Sequence, residues 1–222
     1  MVLTLARLRK ISDSKFDLSK TVVICGKGET ISKISPDLIR DKYIGCVNSS
    51  TILLDRVDFL HITDVERFDV FCAQEKNKEK ISNFLCPLQW HEREKPSEFT
   101  YKNAKEYFSD LDIDIYTYAL PSQKKKFEES ESDMFQVPPG EAHSSITILT
   151  SWLIKLGFRK FEFYGVTTDR NATAEYAEAF KSIGDTGSYL SGGDQKDMGW
   201  FLANYRHLVG LLNRHRCGYV FN

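Results

Sequence analysis

The chain has 222 residues, of which 41% are hydrophobic and 13% aromatic, enough to bury the core of one medium domain and too apolar for wholesale disorder. Its formal net charge of −1 gives no global reason to expect nucleic acid or an anionic membrane surface as a partner. No apolar run reaches the roughly 18 residues of a membrane span, and residues 1–10 lack the apolar stretch and cleavage site of a signal peptide, so the expected compartment is the cytoplasm.

In chain order, residues 1–20 read as an N-terminal extension and 21–222 as a single α/β domain. Residues 21–25, Thr-Val-Val-Ile-Cys, form an apolar, β-branched run that predicts a fully buried strand ending at Gly26. Residues 30–40, interrupted by Pro36, predict a short helix or irregular turn. A second strand is expected over 43–47, a helix start capped by serines over 51–54, and a third strand over 58–63, closed by Asp64. Residues 68–83 suit a solvent-facing helix and 84–90 a strand, while 92–105 is polar and turn-rich. Period-two alternation over 112–118 predicts a further strand.

Residues 122–140 carry a lysine run, an acidic run and Pro138-Pro139-Gly140, the composition of a solvated loop or lid-like insertion. Apolar positions 146, 148, 149, 152, 153 and 156 then match a buried helical stripe, which Gly157 closes. A strand over 160–165, a helix over 196–214 and a terminal strand over 219–221 complete the series. Strand–helix alternation of this kind predicts a Rossmann-like, open, mostly parallel sheet with helices on both faces.

Ligands of open parallel sheets bind at the carboxyl ends of strands, where the strand order reverses. The residues expected there are Gly26-Lys27-Gly28-Glu29-Thr30, Asn48-Ser49-Ser50, Thr63-Asp64 and Gly165-Val166-Thr167-Thr168-Asp169. Glycines let backbone N–H groups face an anion, and Lys27 could add charge; a plain tight turn explains the same residues. His143, before Ser144-Ser145 at a helix entrance, could contact phosphate or act as a base, and the serines equally suit a plain N-cap. Asp110, Asp112 and Asp114 could hold Mg²⁺ or Mn²⁺, although an alternating strand with its acids toward solvent explains them better. His61 reads as a core residue. The five cysteines (Cys25, Cys46, Cys72, Cys86, Cys217) are widely spaced with no CxxC pair, as reduced thiols are, and no metal-ligand spacing stands out.

The segments Val22-Val23-Ile24-Cys25-Gly26-Lys27-Gly28-Glu29-Thr30, Cys46-Val47-Asn48-Ser49, His143-Ser144-Ser145, Leu156-Gly157-Phe158 and Phe163-Tyr164-Gly165 together resemble the bacterial CMP-sialic acid-dependent sialyltransferases. They are also similar to the related family of 6-hydroxymethylpterin diphosphokinase-like proteins and flagellin-modifying transferases. The first resemblance implies a glycosyltransferase that moves a sialic acid-like sugar from a CMP-activated donor to the hydroxyl of a glycan or other acceptor, with no obligatory metal. Gly26, Lys27 and Gly28 would then border the phosphates, Asn48 the cytidine or ribose, Thr63 the sugar-phosphate region, and Ser144 and Ser145 the nucleotide. Tyr176 would hold the phosphate and assist the leaving group. Glu29-Thr30 replaces the family's Pro-Ser, and Thr167 stands where the family has an acid. No histidine occupies 188–194, which leaves Asp194 as the candidate base. The second resemblance implies a pterin-type diphosphokinase using ATP and Mg²⁺, with the acidic run Asp110 to Asp114, or Asp64 and Asp169, holding the metal. A non-catalytic nucleotide-binding module is the third reading, and a homo-oligomer is compatible with each.

Overall fold

The computed structural model describes residues 15–64, 68, 71, 78–87, 101–119, 134–136, 144–166 and 196–222. Among them, eight strands form one sheet: β1 (Val22–Cys25), β2 (Tyr43–Val47), β3 (Phe59–His61), β4 (Asn83–Pro87), β5 (Asp114–Ala119), β6 (Met134–Gln136), β7 (Lys160–Tyr164) and β8 (Gly218–Phe221). The helices are α1 (Pro36–Ile39), α2 (Tyr101–Tyr107), α3 (Ser145–Leu156) and α4 (Lys196–Arg214), with 3₁₀ turns at Glu29–Lys33 and Asn48–Leu53.

The strand order is β6-β5-β4-β3-β2-β1-β7-β8, and every pairing is parallel. The chain therefore steps one way from β1 to β6, returns across the sheet, and resumes on the other side of β1. Right-handed crossovers put connections that move in opposite directions on opposite faces. The side chains agree. Ile31, Phe68, Phe71, Ala104 and Phe108 pack with Val23, Cys25 and Leu60 on one face. Ile148, Leu149, Trp152 and Leu153 of α3 and Leu208, Leu211 and Leu212 of α4 pack with Val22, Ile24, Phe59 and Phe163 on the other. This is an open α/β, Rossmann-like sheet covered on both faces, which is why β1 is apolar at every position rather than alternating. The expected "mostly parallel" sheet is parallel throughout among the described strands.

Local signals set the ends of α3. Ser144 is its N-cap, its Oγ accepting from the Thr147 N–H at 3.2 Å. Gly157 (φ 119°) ends the helix, and the Phe158 N–H reaches back to the Leu153 carbonyl at 3.1 Å, a Schellman closure that needs a residue tolerant of positive φ.

Several expectations are corrected. The polar stretch over 92–105 runs into α2, whose Ala104 is fully buried, with Phe108 just beyond it buried too; residues 92–100 lie outside the described residues. The helix expected over 68–83 does not reach its predicted end. Residues 78–80 are a turn, Ile81 bridges to Val57, and β4 starts at Asn83 because its side chain is needed there, donating to the Asp58 carbonyl at 2.8 Å. Within the lid-like insertion 122–140, residues 134–136 form the edge strand β6, and the remainder lies outside the described residues. The helix start expected over 51–54, capped by the serines, is instead a 3₁₀ turn that begins at Asn48 and holds both serines inside it. Residues 15–20, assigned to the extension, pack onto the domain. Phe16 lies against Tyr43, Phe59 and Phe158, and Lys15 pairs with Asp114.

Candidate functional site

The strand order reverses between β1 and β7, so their carboxyl ends flank a crevice of the kind that holds ligands in open α/β sheets. Three glycines meet there. The Gly26 N–H donates to the Tyr164 carbonyl (2.8 Å), the Gly28 N–H to the Gly165 carbonyl (2.9 Å), and the Gly165 N–H to Thr30 Oγ1 (2.7 Å). A Cβ on Gly26 would stand well inside van der Waals contact distance of the Gly165 oxygen, and Gly165 itself has φ 65°. The glycines thus serve the close approach of two backbones. This corrects the reason given for them from sequence: the N–H groups of Gly26 and Gly28 face the protein's own carbonyls, not an anion. A ligand at this turn would meet half-buried Lys27, exposed Glu29 or half-buried Thr30.

The floor of the crevice is stitched by Ser50, one of the residues expected at the end of the second strand. Its Oγ donates to the Cys25 carbonyl (2.9 Å) and accepts from the Val47 N–H (3.0 Å), joining the ends of β1 and β2. Beneath, Cys25 and Cys46 are register partners on these strands, and contact with the Cys46 thiol, with burial, raises the pKa of Cys25 well above the usual thiol range. These are inert core thiols, as are Cys86, whose pKa burial alone raises, and buried Cys217.

Asn48 follows β2 directly. It is the first residue of the 3₁₀ turn, has φ 52°, and its Oδ1 is buried with no hydrogen-bond partner. Asparagine is among the few residues that adopt left-handed backbone readily, so the cost at this position lies in the orphaned buried acceptor, about 1–3 kcal/mol. A buried acceptor left without a donor by the folded chain is a position that a ligand's N–H or O–H can satisfy. Its neighbour Ser49 is buried.

Two of the predicted contact residues meet. Thr63, after β3, lies with its Oγ1 3.3 Å from the Oγ of Ser145 in the first turn of α3. Behind them is a pair the sequence reading did not assign to the site. His61, fully buried, has its Nε2 3.0 Å from the Tyr118 hydroxyl and 3.4 Å from Thr63 Oγ1. Tyr118 Oη is in turn 3.5 Å from Thr63 Oγ1. Burial pushes the His61 pKa down to about 3 and holds the Tyr118 hydroxyl protonated, so the cluster is uncharged. His61 and Tyr118 both sit at apolar-strand positions, where composition offers no signal; only the pairing of β3 and β5 with β4 between them brings the two together.

Ser144 behaves as the plain N-cap, so its hydroxyl is engaged by Thr147. Asp64 follows Thr63 and is half-buried. In the acidic run Asp110 pairs with Lys78 and Asp114 with Lys15, and β5 begins only at Asp114. Among the described residues no cluster of His, Cys, Asp and Glu is arranged to hold a metal ion, and no helix is long and apolar enough to cross a membrane. Tyr176, His143, Asp194, Thr167, Thr168 and Asp169 lie outside the described residues.

No protein-family model matches the chain, and no curated protein matches it either.

Proposed function

We propose that the crevice at the ends of β1, β2, β3 and β7 binds a nucleotide, and that the nucleotide is the CMP half of an activated, sialic acid-like sugar transferred to an acceptor hydroxyl. The observation that carries the binding part is Asn48: a left-handed residue with a buried, partnerless carbonyl oxygen, at the end of the strand adjacent to the one that leads into Thr63 and its partner Ser145, and one strand from the reversal of strand order. That oxygen requires a donor, which a base amino group or ribose hydroxyl supplies and a phosphate does not. The hydroxyl pair and the first turn of α3 suit the phosphate instead. Nucleoside at the β2 end and phosphate at the α3 end is a self-consistent placement.

The sugar-transfer part rests on the resemblance to the sialyltransferases. In that chemistry the acceptor oxygen attacks the anomeric carbon, the bond from that carbon to the CMP phosphate breaks, and the acceptor proton passes to a base. Asp194 is the candidate base and Tyr176 the candidate partner of the departing phosphate, with His143, which precedes Ser144 in sequence, a further candidate. A magnesium-dependent diphosphokinase would draw its carboxylates from Asp110 to Asp114 or from Asp64 and Asp169; of these, Asp110 and Asp114 are paired with lysines. Transfer from CMP-linked sialic acid to a lactoside, measured without and with Mg²⁺ and with Asp194→Asn, tests the sugar-transfer reading. Transfer without metal that Asp194→Asn abolishes is the expected result, and transfer unchanged by Asp194→Asn removes Asp194 as the base.

A further inference from the structure

Four side chains from three different elements run from the buried interior to the crevice: His61, Tyr118, Thr63 and Ser145, with successive contacts of 3.0, 3.5 and 3.3 Å. Hydroxyl protons rotate, so the direction of donation along such a chain is set by its fixed end. That end is His61. Its Nδ1 is buried without a partner. A stranded N–H donor is much rarer in protein interiors than an under-satisfied acceptor, so the neutral ring carries its proton on Nε2 and leaves Nδ1 as a bare lone pair. Nε2–H then donates to the Tyr118 oxygen, the Tyr118 O–H to Thr63 Oγ1, and the Thr63 O–H to Ser145 Oγ. The proton left over is that of Ser145, half-buried in the first turn of α3.

We infer that His61 and Tyr118 are positioning residues, which hold the Ser145 hydroxyl as a committed donor toward an anionic oxygen of the bound ligand, the nucleotide phosphate. This deepens the nucleotide reading and rests on it. The chain gives the site a preference for ligands that accept at this point: a phosphate is recognised, and a nucleoside, which ends in a hydroxyl there, gains nothing from the relay. A role confined to core packing would have no such preference, because it would weaken every ligand alike.

The test is the ratio of CMP to cytidine affinity, measured by calorimetry on the full chain. Tyr118→Phe removes one hydroxyl and keeps the ring. His61→Leu removes the fixed end, and His61→Gln restores an amide N–H near the Nε2 position. Tyr118→Phe and His61→Leu are expected to weaken CMP about tenfold while cytidine changes less than about twofold, and His61→Gln to recover most of the CMP affinity. A melting curve on each variant confirms folding, and Tyr118→Phe, the mildest change, decides the matter if His61→Leu does not fold. Equal weakening of both ligands, or an unchanged ratio in Tyr118→Phe, overturns the inference and leaves the nucleotide reading intact. Wild-type protein that binds neither ligand overturns both.

Discussion

Thr30 and Gly165 lie 135 residues apart in sequence, yet the Gly165 N–H donates to Thr30 Oγ1 at 2.7 Å. The contact closes the turn after β1 onto the turn after β7 at the point where strand order reverses. Thr30→Val keeps the shape and strands a part-buried N–H, so a loss of about 1–3 kcal/mol is expected, with Thr30→Ser near wild type. Urea denaturation reads this as a lower midpoint at unchanged slope.

Gly26→Ala tests the same junction from the other side. The added methyl meets the Gly165 carbonyl oxygen, which is backbone and cannot rotate away. A loss of about 3 kcal/mol is expected, in contrast to the same change at Gly210 inside α4, where an added Cβ meets nothing within 4 Å and Ala should be neutral or stabilising. Equal tolerance at both positions would contradict the close packing of the two turns.

Adjacent serines should separate into different roles. Ser144→Ala removes the cap of α3 and is expected to cost about 1 kcal/mol of stability with little effect on ligand affinity. Ser145→Ala should leave the melting temperature nearly unchanged and weaken CMP. Parallel melting and calorimetry on the two variants distinguish them.

His61 makes stability depend on pH. Its folded pKa is about 3 against 6.5 for an ordinary histidine, so below pH 6.5 the unfolded chain takes up a proton that the folded chain refuses. The contribution is therefore complete above pH 6.5 and is lost progressively as pH falls toward 3. Wild type should lose about 2 kcal/mol more than His61→Gln between pH 7 and pH 5, at about 1.4 kcal/mol per unit. Matching pH profiles for the two proteins would show that His61 is protonated, or exposed, in the folded state.

Much of this architecture can be read from the chain because its signals are local. The bounds of β2 follow from Tyr43–Val47 being flanked by polar residues, and α3 declares both ends through Ser144 and Gly157. What sequence conceals depends on tertiary partners. Residues of α2 such as Lys102, Asn103 and Lys105 look like loop, and the helix is held by burial of Ala104 against the sheet. Strand β6 lies in a stretch whose surrounding charges resemble a solvated loop, and it forms by pairing with β5 at the edge. The glycine turn was found for a reason that geometry replaces, since its N–H groups serve Tyr164 and Gly165. His61 and Tyr118 carry no pattern of their own at all. Their proximity is a product of the strand order.

The central claim, that the crevice is a nucleotide site, is tested most directly by melting the protein against CMP, CDP, ATP, GTP and UDP with and without Mg²⁺. A ligand at a hundred times its Kd stabilises by about 2.7 kcal/mol, or roughly 5–10 °C for a chain of this size. The account predicts a shift of that order with CMP that does not require Mg²⁺ and that Asn48→Ala diminishes. No shift with any nucleotide at millimolar concentration would contradict it.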